Sequence, residues 1–251
     1  KEMRYFVTLA YDGTNFHGWQ IQPNSHSVQE EMERSLGVLL QQEVKIVAAG
    51  RTDTGVHAKK MVAHFDCEKQ IIDTDNFVLR WNSLLPKDIA VFSLTQVSDD
   101  LHARFSALSR KYEYHISCTK NPFLEDYSAR FGKLDFEKMD KVAKRLFDYT
   151  DFTSFCKIHT DALTRDCTIM QAYWEKRGDV WVFTIEANRF LRNMVRAVVG
   201  TLVAVGRGRL SEEDFCKIIE AKNRGAAGTS APAKGLFLVD VTYPKDVFCK
   251  E

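Results

Sequence analysis

The sequence predicts an α+β fold built from two ferredoxin-like (RRM-like) halves, residues 1–105 and 106–251. Three observations predict it. Segments that alternate apolar and polar residues interleave with segments of helical spacing. The first hundred residues spell β-α-β-β-α-β, the order of a ferredoxin-like unit. The remainder spells something close to it, although no residue-level repeat is visible.

In chain order, Arg4 to Ala10 alternates and is rich in Tyr, Phe, Val and Thr, so it reads as a strand. Ser27-Val28-Gln29-Glu30 has the form of a capping box, after which Val28, Met32, Leu36 and Leu39 recur at helical spacing. Val44 to Ala49 and Lys60 to Phe65 predict two more strands. Asp73 to Leu85 predicts a helix stopped by Pro86, and Ile89 to Val97 the next strand. The second half opens with a strand from Lys111 to Ser117. A helix from Asp135 to Phe147 follows, carrying Phe136, Met139, Val142 and Leu146 on one face. Ile169 to Lys176 and Trp181 to Ala187 form a hairpin across Arg177-Gly178-Asp179. Helices are predicted at Phe190 to Val205 and, behind a second capping box at Ser211 to Asp214, at Phe215 to Lys222. Gly235 to Tyr243 closes the pattern as a strand. Two sheets side by side would leave a cleft, a usual place for a ligand site.

Composition narrows the function classes. Of 251 residues, 45% are hydrophobic and 27% charged, which excludes disordered and low-complexity architectures. Lys and Arg number 35 against 34 Asp and Glu, a net charge of +1, so a polyanionic partner must be met by a local patch. The longest apolar run, Ala197 to Gly206, is interrupted by Gly200 and Thr201 and falls short of the roughly 20 residues that span a bilayer. Lys1-Glu2-Met3-Arg4 passes directly into a strand-like segment without a signal-peptide pattern, so a soluble, cytoplasmic protein is expected. The six cysteines, at positions 67, 118, 156, 167, 216 and 249, include no Cys-x-x-Cys pair. The tightest cluster, Cys156, His159 and Cys167, lacks a fourth ligand at sensible spacing, so no metal is expected.

Three stretches carry chemistry. Ala48 to Ala58 places Arg51, Asp53 and His57 between two predicted strands, with glycines at 50 and 55. A guanidinium near Asp53 would keep its carboxylate ionised, ready to act as nucleophile or base. An aspartate that merely caps a turn would also satisfy an isolated Arg-x-Asp. The second stretch holds Arg189, Arg192, Arg196, Arg207 and Arg209, with no acid from Ala187 to Ser211. Spacings of three and four put Arg189, Arg192 and Arg196 on one helix face, suited to phosphates, while Leu191, Met194, Val195 and Val198 supply the buried side. The third runs through His102-Ala103-Arg104-Phe105-Ser106 to Arg110-Lys111-Tyr112-Glu113-Tyr114, interleaving cations with rings as RNA-binding surfaces do. Two tyrosines on one strand face equally suit a core. Phosphate-loop, dinucleotide, zinc-deaminase and nucleophile-elbow motifs are absent from the sequence. A cofactor-free site built on a carboxylate is left, with two rivals: a catalytically silent RNA-binding module and a small-molecule enzyme on a ferredoxin-like scaffold.

These segments together resemble the tRNA pseudouridine synthase A family along almost the whole chain. Tyr11-Asp12-Gly13, Gly18-Trp19-Gln20 and Ser27 to Glu30 lead into the central Gly50-Arg51-Thr52-Asp53-Thr54-Gly55-Val56-His57-Ala58. His102 to Ala107, Arg110-Lys111-Tyr112, Asp151 to Phe155, Phe190 to Arg196 and Gly235 to Val239 complete the match in order. The resemblance implies a pseudosymmetric pseudouridine synthase fold around a basic cleft. It implies isomerisation of uridine in the anticodon stem-loop of tRNA, at positions 38–40 of that RNA, without cofactor or metal, by a homodimer. It further implies that Asp53 is the catalytic aspartate and that Tyr112 lies against the target base. Arg51 would take up the flipped nucleotide's space or phosphate, and Arg196 would pair with the aspartate. RNA would be gripped through Arg189, Arg192, Arg104, Lys111 and His57. The sequence departs from the family pattern at Thr54, where Ala is usual, and at Asn193, where His is expected.

Overall fold

The computed structural model describes residues 1–157 and 164–248. His159 of the cysteine–histidine cluster, and Cys249, lie outside them. The described residues form a mixed α+β protein with predominantly antiparallel strand pairing, divided by contacts into two compact units. Unit 1 is Lys1–Leu108 together with the chain from Leu238 onward, and unit 2 is Ser109–Phe237.

Unit 1 runs β1 (Met3–Tyr11), α1 (Val28–Leu40), β2 (Val47–Ala48), β3 (His57–Cys67), α2 (Thr74–Leu84) and β4 (Ile89–Val97). Its sheet has β1 between β4 and β3, with β2 on the far side of β3. Helix α1 begins where Ser27 Oγ accepts from Glu30 N, and its buried residues Val28, Met32, Leu36 and Leu40 form a stripe at helical spacing. Trp81 of α2 is fully buried, meets Phe65 of β3 edge-on and donates Nε1–H to Ser35 of α1 at 2.8 Å. The predicted strand Val44–Ala49 shrinks to two paired residues. The cause is local: Ile46 N donates to Glu33 Oε2 and Ile46 O accepts from Gln29 Nε2, so side chains of α1 satisfy the backbone before a ladder can.

Unit 2 contains β5 (Ser109–Ser117), α3 (Phe136–Ala143), β6 (Ile169–Arg177), β7 (Val180–Ala187), α4 (Met194–Gly206) and α5 (Glu212–Glu220). Strand β7 lies between β5 and β6. The hairpin turns on Gly178-Asp179, with Gly178 at φ +60, a sign that matches strand twist. The helix predicted to Phe147 is α-helical to Ala143 and finishes as a 3-10 turn, Lys144–Asp148. Ser211 and Asp214 close a reciprocal capping box on α5. Helix α4 starts four residues later than its periodicity predicts, because Asn193 sits at φ +65 in the left-handed region and interrupts helical backbone. Arg189 and Arg192 therefore precede the helix, and the expected three-arginine helix face does not exist. The last strand, β8 (Leu236–Thr242), leaves unit 2 at Phe237 and enters unit 1 at Leu238. Among the described residues no helix is long and apolar enough to cross a membrane.

Candidate active site

In unit 1 the segment 49–56 leaves β2 and enters β3 as a loop held on several sides. Val56 N donates to Asp53 O at 3.1 Å and Gly55 N to Phe16 O at 3.3 Å. Trp19 N reaches Thr52 O at 3.4 Å, and Tyr11 Oη lies 2.8 Å from Thr52 Oγ1. Gly18, at φ +79, is pressed so closely against the loop that a Cβ there would stand 2.3 Å from Thr52 O. At Gly13 a Cβ would stand 2.0 Å from Val56 O, so both positions exclude any side chain. Of the loop's own glycines, Gly55 adopts φ +83, whereas Gly50 needs neither special backbone nor close approach.

The result is a carboxylate on a braced backbone. Asp53 is half-buried, and Thr54 beside it is exposed. Arg51 is exposed and donates from Nη1 to Gln20 Oε1 at 2.8 Å. His57 is buried; its Nδ1 accepts from Gly13 N at 2.9 Å and lies 3.3 Å from Asp12 Oδ1. Its part in the loop is internal, fixing the turn that carries Gly13.

The segment 101–106, also in unit 1, is wound round its own side chains. His102 Nδ1 accepts from Arg104 N and Phe105 N at 3.1 and 3.2 Å, and Ser106 Oγ accepts from His102 N at 2.9 Å. Ala103 N donates to Nδ1 of buried His64 at 3.0 Å, and Tyr243 Oη donates to Ala103 O. Burial holds His64 down at about 4, helped by the charge of Arg4 and by His102. The ring of Phe105 stands 78% exposed, stacked on His102 with the Arg104 guanidinium 5.6 Å from its centroid.

Unit 2 holds the tyrosine strand and the arginines. On β5, Tyr114 is fully buried and donates from Oη to Pro232 O at 2.7 Å. Burial raises its phenol well above the usual range, and the Arg196 charge opposes that rise. Tyr112, two residues earlier, is half-buried and meets the Phe190 ring edge-on at 5.1 Å. One tyrosine is thus core and the other lines the surface. Lys111 is half-buried on the same strand. Arg189 donates to Thr164 O at 3.0 Å, while Arg192 is exposed and its carbonyl accepts from Lys157 N. Arg196, on the first turns of α4, donates Nε–H to Ala231 O at 2.8 Å, and Leu191, Met194, Val195 and Val198 are buried as their spacing predicts.

Of the residues that hold these groups, Phe190 lies in a matched segment, whereas Ser230, Ala231 and Pro232 carry no motif of their own in the sequence. Phe190, Ser230 and the carbonyls of Ala231 and Pro232 each hold a candidate residue or its neighbour. The one available signal was the run Gly225 to Gly235, dense in Gly, Ala and Pro.

The family model describing tRNA pseudouridine synthase matches residues 8–106 and 142–244 of the chain. The tRNA pseudouridine synthase A of Parabacteroides distasonis is 55% identical over 246 residues, covering 98% of each chain. That of Bacteroides fragilis is 54% identical over 247 residues, again covering 98% of each. That of Bacillus pumilus is 40% identical over 246 residues, covering 96% of this chain and 99% of its own. The chain belongs to the tRNA pseudouridine synthase A family.

Proposed function

We propose that the protein isomerises uridine to pseudouridine in tRNA, within the anticodon stem-loop at positions 38–40. The observation that carries this reading is the Asp53 loop, a half-buried carboxylate on a backbone fixed by Trp19, Phe16, Tyr11 and two side-chain-free glycines. The full-length similarity to relatives named for this activity supports it.

The reaction cleaves N1–C1′, the bonding pair leaving with uracil. The base turns, and C5 bonds to C1′; C5 then loses its proton and N1 gains one. Nothing is oxidised and no group is transferred, so the chemistry requires neither cofactor nor metal. A target inside a paired stem must be extruded, at a stacking cost that the pocket repays. Asp53 acts as the carboxylate, by adding to sugar or base or by removing the C2′ proton to give a glycal. Arg196 is the cation that would pair with it. Tyr112 holds the detached uracil by its ring and is placed to take the C5 proton, while Arg51 meets the flipped nucleotide's space or phosphate. Arg189, Arg192, Arg104 and Lys111 meet phosphates, and His57 serves RNA only through the loop it braces. The same reading makes the enzyme a cytoplasmic homodimer of chains each built from ferredoxin-like halves 1–105 and 106–251. In unit 1 the pairings β4 with β1, β1 with β3 and β2 with β3, from a β-α-β-β-α-β chain, support the first half.

The test uses unmodified tRNA tritiated at uridine C5. Asp53→Asn keeps the volume and removes the charge, so tritium release should stop while tRNA still binds. Release at the wild-type rate would sink the role of Asp53. No release from the wild type, with tRNA bound, would favour the binding-module reading.

A further inference from the structure

One segment of unit 2 is fastened to α4 more closely than any loop connection requires. Residues 228–232 run alongside α4 and contact Asn193 at its start and Arg196, Gly200 and Thr201 within it. Gly228 N donates to Thr201 Oγ1 at 3.0 Å. A Cβ on Gly200 would stand 1.7 Å from Thr229 O, so backbone rests on backbone there. Ala231 engages Arg196 twice: its N donates to Arg196 O at 2.9 Å, and its O accepts Nε–H at 2.8 Å.

Between these two anchors stands Ser230. Its Oγ accepts from Asn193 Nδ2 at 2.6 Å and from Arg224 Nη2 at 3.0 Å, and Arg224 Nη1 also reaches Gly228 O at 3.1 Å. A serine oxygen has two lone pairs, and both are taken. One hydroxyl therefore joins the left-handed residue that opens α4, the strap itself and an arginine that stiffens the strap. Two residues on, the Pro232 carbonyl accepts the Tyr114 hydroxyl, so the same strap fixes the strand that carries Tyr112.

We infer that Ser230, clamped by Asn193 and Arg224, is a positioning residue for the reaction: it sets the strap whose Ala231 carbonyl fixes the plane of the Arg196 guanidinium. The inference rests on the proposed role of Arg196. A guanidinium has five donors in a rigid fork, so a carbonyl that claims Nε–H dictates where the two terminal nitrogens aim. Asn193, where the family resemblance leads one to expect His, suits this duty. Asn tolerates left-handed backbone better than most residues, and its amide supplies the donor that Ser230 receives.

Ser230→Ala removes the shared acceptor without adding bulk, and Asn193→Ala removes one donor by an independent route. Each is compared with wild type for thermal melting, and for kcat and KM on tRNA by tritium release. Each substitution is then repeated in an Arg196→Lys background, where no fork remains to be aimed. The expected result is a kcat about 10-fold lower with KM within about 2-fold, since misaiming costs rate rather than grip. Ser230→Thr should restore kcat to within about 2-fold, and in the Lys background Ser230→Ala should change kcat by less than about 2-fold. Unchanged kcat in both folded variants would overturn the inference, as would an equal loss in both backgrounds. If Ser230→Ala does not fold, Asn193→Ala decides by the same criteria. Wild-type turnover by Arg196→Lys itself would instead overturn the guanidinium's role, and the inference with it.

Discussion

Single side chains here divide sharply by what surrounds them. Tyr112 and Tyr114 are two residues apart on one strand, yet Tyr114 is sealed and bonded while Tyr112 keeps an exposed flank against Phe190. We expect Tyr112→Phe to separate ring from hydroxyl. Unchanged turnover would assign the residue to stacking alone, and a fall of about 100-fold would assign the phenol to proton transfer. His64 gives a second residue-scale prediction. Its value of about 4 in the fold lies below the ordinary histidine value, so the folded state takes up its proton later than the unfolded chain does. Stability is therefore expected to decline as pH falls from about 6.5 towards 4, by about 3 kcal/mol from this group. His64→Asn retains an acceptor for Ala103 N but does not titrate. Melting temperatures across that range should flatten in the variant, and an unchanged slope would refute the assignment.

At the scale of elements, side-chain periodicity was legible and backbone sign was not. The Phe136, Met139 and Val142 stripe of α3 and the limits of β4 could be read directly, because burial there follows spacing, whereas α1 buries Leu40 in place of the expected Leu39 and α5 begins at Glu212, inside its capping box, rather than at Phe215. Strand β2 could not, since Glu33 and Gln29 reach it from 13 and 17 residues away. The start of α4 could not either: Phe190-Leu191-Arg192-Asn193 continues the helical pattern perfectly while Asn193 turns left-handed. The site was legible as a motif, Gly50 to Ala58, but its bracing from Gly13 to Trp19 depends on contacts 33 to 43 residues apart along the chain. Gly18→Ala tests that bracing. Its new Cβ meets a carbonyl and its φ is strained, which should cost about 1–3 kcal/mol of stability and displace the Asp53 loop. Activity should drop about 10-fold or more in protein that still folds cooperatively. Full activity would mean that the loop tolerates movement.

For the whole molecule, charge balance conceals local asymmetry. The net charge is +1, yet the stretch from Ala187 to Ser211 holds five arginines and no acid. Binding of tRNA should therefore weaken with salt, and Arg192→Ala should lower affinity and reduce the salt slope by about one. An identical slope would place Arg192 away from phosphate. Chain connectivity has a different consequence, for the order of events during synthesis. Unit 1 is discontinuous: Asp240 supplies the partner of Lys60 at 2.9 Å, and Tyr243 ties down Ala103. When translation has passed Leu108, unit 1 still lacks its last strand. That unit waits through 129 more residues, the length of Ser109–Phe237, before its closing segment emerges. A nascent chain arrested after Phe237 should leave unit 1 protease-sensitive, whereas one extended past Tyr243 should protect it.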